Sequence, residues 1–159
     1  MTTRFQPLEV QKQRLCQPGC PLQVHCMLQS VDLRSGRLLL QLRMVNSGEQ
    51  RIRSAFLRLE ALGDDGTVCG HIERLAFSAE EMPPHSSFGD THVIMLPWNT
   101  VYRLRALAEL VLLEDGSRWR APSDQTLCTN GKDCGCGLFN PVGRSICGYC
   151  GRRLLPVTE

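Results

Sequence analysis

The 159-residue sequence is poor in aromatic side chains, 6% of the chain, and shows no excess of either charge, with 18 Lys and Arg against 16 Asp and Glu. That near balance excludes a uniformly basic nucleic-acid-binding protein. Long apolar runs are missing as well. The opening stretch MTTRFQPLEVQKQRL holds nothing like the apolar core of a signal peptide, and the most apolar later stretch, LRALAELVLL, is interrupted by Glu109. Neither export nor a membrane span is expected, and the expected location is the cytoplasm. The chain also lacks a nucleophile elbow, a phosphate-binding glycine loop and a histidine–glutamate metal motif. His25, His71, His85 and His92 are scattered with no nucleophile and orienting carboxylate to match, and Glu80-Glu81 reads as a solvated loop, so a non-enzymatic protein is expected.

Cysteine, in contrast, is plentiful. There are nine, an odd number and clustered, whereas a secreted disulfide scaffold shows an even, distributed set. In a chain without an export signal such thiols stay reduced, and reduced thiols in pairs point to metal. Residues 134 to 151, CGCGLFNPVGRSICGYCG, place Cys134, Cys136, Cys147 and Cys150 in two tight pairs, each closed by a glycine. A segment of roughly thirty residues cannot fold by hydrophobic burial alone and needs a staple. A tetrahedral zinc ion held by four thiolates supplies it, with binding free energy on the order of 10 kcal/mol in place of a core. Gly137 and Gly151 stand where each knuckle must turn with positive φ.

One structural zinc on Cys134, Cys136, Cys147 and Cys150 is the resulting expectation. Three alternatives stand beside it: unmetallated thiols, a redox role for the close Cys134 and Cys136, and Cys128 in place of Cys134. A second cluster, CQPGCPLQVHC, carries Cys16, Cys20 and Cys26. These join Cys69 or His25 at a second metal site, or form a Cys16–Cys20 redox pair, or are free thiols of the interior.

From about residue 20 to 121 the pattern has period two. Leu22, Val24, Cys26 and Leu28 share one face of a strand; Arg34, Ser35 and Gly36 supply a turn; Leu38, Leu40, Leu42 and Met44 share the inward face of the next. Ala55, Leu57, Leu59 and Ala61 line a third. A shorter strand is expected from Val68 to Leu75, the proline-bearing SAEEMPPHSS reads as a loop, and THVIML resumes extended structure. VYRLRALAELVLL has helix-forming composition, yet its faces separate at period two, with Tyr102, Leu104, Ala106, Ala108, Leu110 and Leu112 together. Asp115-Gly116 then suits a tight turn and Trp119 a returning strand. Strands of this kind bury their apolar faces by packing two sheets, so an immunoglobulin-like antiparallel β-sandwich is expected. The division is an N-terminal extension over 1–19, a sandwich over 20–121, a linker over 122–133 rich in Pro, Ser, Asp, Thr and Gly, and a zinc ribbon over 134–155.

The spacing from Cys136 through Asn140 to Cys147 and Cys150 resembles a Ran-binding-protein-type zinc finger or a related short zinc ribbon, over the last fifth of the chain. The resemblance implies the same four cysteines as ligands and a side chain at Asn140 that braces the loop between them. The pattern departs from that family in its Cys-Gly-Cys pair, with one intervening residue, and in Lys132 where a tryptophan usually precedes the pair. Members of that family bind single-stranded RNA or protein partners, and the missing tryptophan weighs against RNA. The whole layout is also similar to bacterial proteins in which a β-sandwich carries a zinc-ribbon tail, which implies the architecture and no activity.

From residue 128 onward Lys132, Arg144, Arg152 and Arg153 face only Asp133 and Glu159, so the ribbon is weakly basic. Tyr149 alone offers poor provision for base stacking. The functional expectation is a protein-binding adaptor or assembly component, self-association included, with single-stranded nucleic-acid binding through the ribbon as the alternative.

Overall fold

Antiparallel strands supply every regular element of the computed structural model, which describes residues 4–78, 82–124 and 127–155. In chain order they are β1 (Phe5–Lys12), β2 (Leu22–Asp32), β3 (Leu38–Asn46), β4 (Ile52–Leu62), β5 (Val68–Phe77), β6 (Ser87–Phe88), β7 (Val93–Met95), β8 (Arg103–Leu113), β9 (Arg118–Arg120), β10 (Gly131–Asp133) and β11 (Phe139–Pro141). One sheet runs β1-β2-β3, with the short β6 and β7 both pairing along the far side of β3; the other runs β5-β4-β8-β9; β10 and β11 form a separate hairpin. The mainly β, sandwich-like architecture is therefore as expected. No helix among the described residues is long and apolar enough to cross a membrane.

The two sheets enclose a single core. Leu38, Leu40, Leu42 and Met44 of β3 and Ala55, Leu57, Leu59 and Ala61 of β4 are all buried, matching the inward faces expected from their alternation. The segment of ambiguous propensity is the strand β8, and Gly116 makes the turn into β9 with φ 86°.

Two inward faces differ from expectation, for one physical reason. In β2, Val24 pairs with Met44 but Cys26 pairs with Arg43, so His25 is an inserted bulge residue. One extra residue reverses which side faces the core. Leu22 and Val24 point inward before it, and Met27 and Gln29 after it, leaving Cys26 and Leu28 outside the core. In β8, Leu110 pairs with Phe56 and Ala108 with Leu57, so Glu109 is the insertion. Leu104, Ala106 and Ala108 are buried before it, and the phase passes to Val111, not to Leu110 and Leu112.

The N-terminal segment is not an extension lying outside the sheets. Phe5–Lys12 pairs along β2 as an edge strand, and all its residues but the half-buried Gln11 are exposed. With no apolar face to bury, it leaves no period-two signal. Its hold on the second sheet is made by side chains. The Gln11 amide donates to the Leu104 carbonyl at 2.6 Å and accepts from the Leu104 N–H at 3.0 Å. Gln13 does the same with Ala106 at 2.8 and 2.9 Å, and Gln17 with Ala108 at 2.8 and 2.7 Å. From β2, Gln29 donates to the Tyr102 carbonyl at 2.8 Å. β9 reaches only Leu110–Leu112, so the margin of β8 from Arg103 to Ala108, with Tyr102 just before it, has no strand beside it. Alternate backbone groups of a strand point to the same margin. The amides of Gln11, Gln13 and Gln17, each a donor and an acceptor, satisfy them as a neighbouring strand would, while Gln29 contributes only its donor.

Candidate metal centre

The ribbon begins earlier than its cysteines. Gly131–Asp133 and Phe139–Pro141 pair as a hairpin, Lys132 opposite Asn140, so the last residues assigned to a linker are part of the ribbon. At the hairpin tip Cys134 N–H donates to the Leu138 carbonyl at 3.0 Å and Gly137 N–H to the Cys134 carbonyl at 2.9 Å. A second knuckle closes through Cys147 N–H to the Arg152 carbonyl at 2.8 Å and Gly151 N–H to the Cys147 carbonyl at 3.2 Å. Gly137 and Gly151 adopt φ of 97° and 77°, the left-handed conformation expected after each pair.

The knuckles bring the Sγ atoms of Cys134, Cys136, Cys147 and Cys150 within 4.8 Å of one another. Cys134 and Cys150 lie 3.4 Å apart, Cys136 and Cys147 3.6 Å. Four sulfurs at about 2.3 Å from a tetrahedral ion stand about 3.8 Å from each other, so the set fits a metal ion such as zinc. Cys147 is buried, Cys134 and Cys136 half-buried, Cys150 exposed.

The surroundings prepare these sulfurs unequally. Burial raises the Cys147 thiol, but amide N–H groups at Cys150 and Tyr149, with the Asn140 side chain and Cys136, overcome it and hold the group at about 6. Burial, reinforced by the neighbouring thiols, pushes Cys136 up to about 12 and raises Cys134 as well. A set this tight resists accumulating negative charge, and a divalent cation removes that resistance. Asn140 is fully buried between the knuckles. Its amide donates to the Leu138 carbonyl at 3.2 Å and to the Cys147 sulfur at 3.5 Å, and its oxygen accepts the Gly148 N–H at 2.9 Å.

Comparison with known proteins finds no family model, no curated sequence and no solved structure that matches this chain. The metal centre therefore stands on its own geometry.

Cys128 is not among the four; its backbone pairs with Cys16. Cys16, Cys20, Cys26 and Cys69 do not gather either, since among the described residues the ribbon cysteines are the only cluster of three or more metal-ligating groups. Glu80, Glu81 and Glu159 lie outside the described residues.

The ribbon is seated on the outer side of the first sheet, a relationship with no local signature in the sequence. Val45 of β3 is buried with Leu138, Cys147 and Leu154 in a second small core, and Tyr149 packs against it. Two histidines hold the knuckles by their carbonyls: His25 Nε2 lies 3.2 Å from the Cys136 oxygen and His85 Nδ1 2.7 Å from that of Gly148. Because a carbonyl only accepts, each ring nitrogen donates. The bulge in β2 gives His25 its position, and His85 sits in the left-handed region with φ 58°. Arg144 donates to the Ser47 carbonyl at 2.8 Å, and the Arg14–Asp133 ion pair spans 2.9 Å. His71 and His92 take no part, the first lying near Glu73 and the second against Phe77.

Proposed function

We propose that the chain is a non-enzymatic protein-binding component, an adaptor or assembly part, in which one structural zinc ion on Cys134, Cys136, Cys147 and Cys150 gives the ribbon a fixed shape against the sandwich. The seating of the ribbon carries this reading. His25 and His85 grip the knuckles that hold the sulfurs, so a metal here organises a surface continuous with the first sheet. Four thiolates fill a tetrahedral sphere and leave no position for a substrate, which favours a structural role over a catalytic one. The bracing by Asn140 supports kinship with Ran-binding-protein-type fingers.

The side of the ribbon in solvent carries Val142, Ile146 and Leu155 among the exposed large apolar residues. Such side chains suit a protein partner, which in the simplest case is a second copy of the chain. The basic charge of the tail is partly used internally: Lys132 Nζ donates to the Arg144 carbonyl at 2.9 Å, and Arg144 is spent on Ser47 and Ile146. That weakens the nucleic-acid alternative. Reduced thiols in a metal site accord with the cytoplasm.

The test is capture from native lysate, with and without nuclease treatment, by the zinc-loaded full chain and by an Ile146→Glu, Leu155→Glu variant, with metal content measured on both. One zinc per chain and a discrete protein retained by the first and lost by the second are expected. Retention of nucleic acid alone, abolished by Arg152→Ala with Arg153→Ala, or turnover of a substrate by the pure chain, would overturn the proposal.

A further inference from the structure

Cys16 and Cys128 meet outside any strand, as the two members of an isolated antiparallel pair. Cys16 N–H donates to the Cys128 carbonyl at 2.8 Å, and Cys128 N–H to the Cys16 carbonyl at 3.0 Å. Residues exchanging both hydrogen bonds have Cα atoms about 5.5 Å apart, within the range a disulfide spans, and Cβ atoms also about 5.5 Å apart, so closing the bond draws the pair together by about 1 Å. Directly opposed residues also project their side chains to the same side of the ladder. Both cysteines, with Cys20, line a cleft of about 850 Å³ where the N-terminal turn meets the root of the ribbon. Cys16 is buried at 3% exposure and Cys128 is exposed.

The two cysteines also lie on parts that no disulfide cross-links among the described residues. Cys16 immediately precedes Gln17, the last rung of the amide ladder on β8. Cys128 is separated only by Thr129 and Asn130 from the β10 hairpin that carries the first cysteine knuckle. We infer that Cys16 and Cys128 form a reversible peroxide-sensitive disulfide that latches the root of the ribbon to the sandwich. The exposed Cys128 reacts first: its thiolate attacks one peroxide oxygen, the O–O bond breaks, and Cys128 sulfenic acid and hydroxide result. The Cys16 thiol then condenses with the sulfenic acid, an S–S bond replaces the S–O bond, and the thiol proton leaves with the hydroxyl as water. Two thiols are oxidised and one hydrogen peroxide is reduced to two waters. Burial pushes Cys16 up to about 11, which suits it to the second step and not the first.

The metal-loaded full chain is treated with hydrogen peroxide at near-stoichiometric concentration, disulfides are mapped by mass spectrometry without reduction, and released metal is followed with a chromogenic indicator. The expected result is a Cys16–Cys128 linkage that forms before metal is lost, is reversed by dithiothreitol, disappears in both Cys16→Ser and Cys128→Ser, and persists in Cys20→Ser. Once formed, the linkage should slow release of the metal to a chelator severalfold. A Cys16–Cys20 linkage instead, or release of metal ahead of any linkage, overturns the pairing. Unchanged metal release from the linked chain overturns the latch.

Discussion

Replacing Asn140 tests whether the ribbon is built around a metal. The side chain is fully buried, so no water replaces what it loses. Asn140→Ala strips the Gly148 N–H of its acceptor and takes one donor each from the Leu138 carbonyl, which keeps the Cys134 N–H, and the Cys147 sulfur, which keeps the Tyr149 N–H. A buried backbone group left unpaired costs about 1–3 kcal/mol. With the proposed ion as the staple of this segment, the loss falls on metal affinity, where partners of ligating residues are worth about 10- to 100-fold. That span corresponds to about 1.4–2.8 kcal/mol. Asn140→Asp is the sharper variant: it keeps an acceptor for Gly148 but turns the donor into a negative oxygen facing a carbonyl and a thiolate, so its loss should equal or exceed that of Ala. Competition with a chromogenic chelator at neutral pH reads both. Wild-type affinity in Asp with reduced affinity in Ala would show that the donated bonds contribute nothing, and wild-type affinity in both would refute the bracing role altogether.

Gln13→Met should destabilise the sandwich by about 2–5 kcal/mol, since it leaves the buried N–H and C=O of Ala106 unpaired, and urea unfolding of the metal-loaded chain measures it. Chelation should release amide protection across residues 131–154 and around Val45 while the main core keeps its own; hydrogen exchange distinguishes this from loss of the whole fold. Metal affinity should rise with pH, because bound thiols are ionised while Cys136 is held at about 12 in the empty set, and chelator competition across a pH series reads the slope. Asp32 is held at about 2, chiefly by the Arg4 side chain. Its folded value is depressed, so its contribution is present above the ordinary carboxylate range and is lost as pH falls toward 2; Arg4→Ala should flatten that acid limb in thermal melts.

The alternation of β3 and β4 was legible because their apolar residues keep phase through the core-facing stretch. β2 and β8 carry the same signal, but His25 and Glu109 each insert one residue, and a bulge depends on the opposing strand, which is not adjacent in sequence. β1 was invisible for a different reason. An edge strand exposed on both sides has no apolar period, and the three laddering glutamines, Gln11 in β1 and Gln13 and Gln17 just after it, find their partners more than ninety residues away. The gathering of the four thiols was legible because a metal site requires paired thiols and turning glycines within a short segment. The seating of the ribbon was not, since His25 meets Cys136 across 111 residues and Val45 looks like any other apolar residue of its strand.

The amide ladder also bears on how this molecule stays apart from its neighbours. An uncovered strand margin is a template on which another chain can lay a strand, and repetition of that step leads to fibrils. Between Tyr102 and Ala108 that template is filled by side chains, and side chains do not propagate: each glutamine satisfies one residue of β8 and presents no second ladder of its own. Gln13→Met would therefore do more than weaken the fold, because it would reopen a growth point on the uncovered margin of β8.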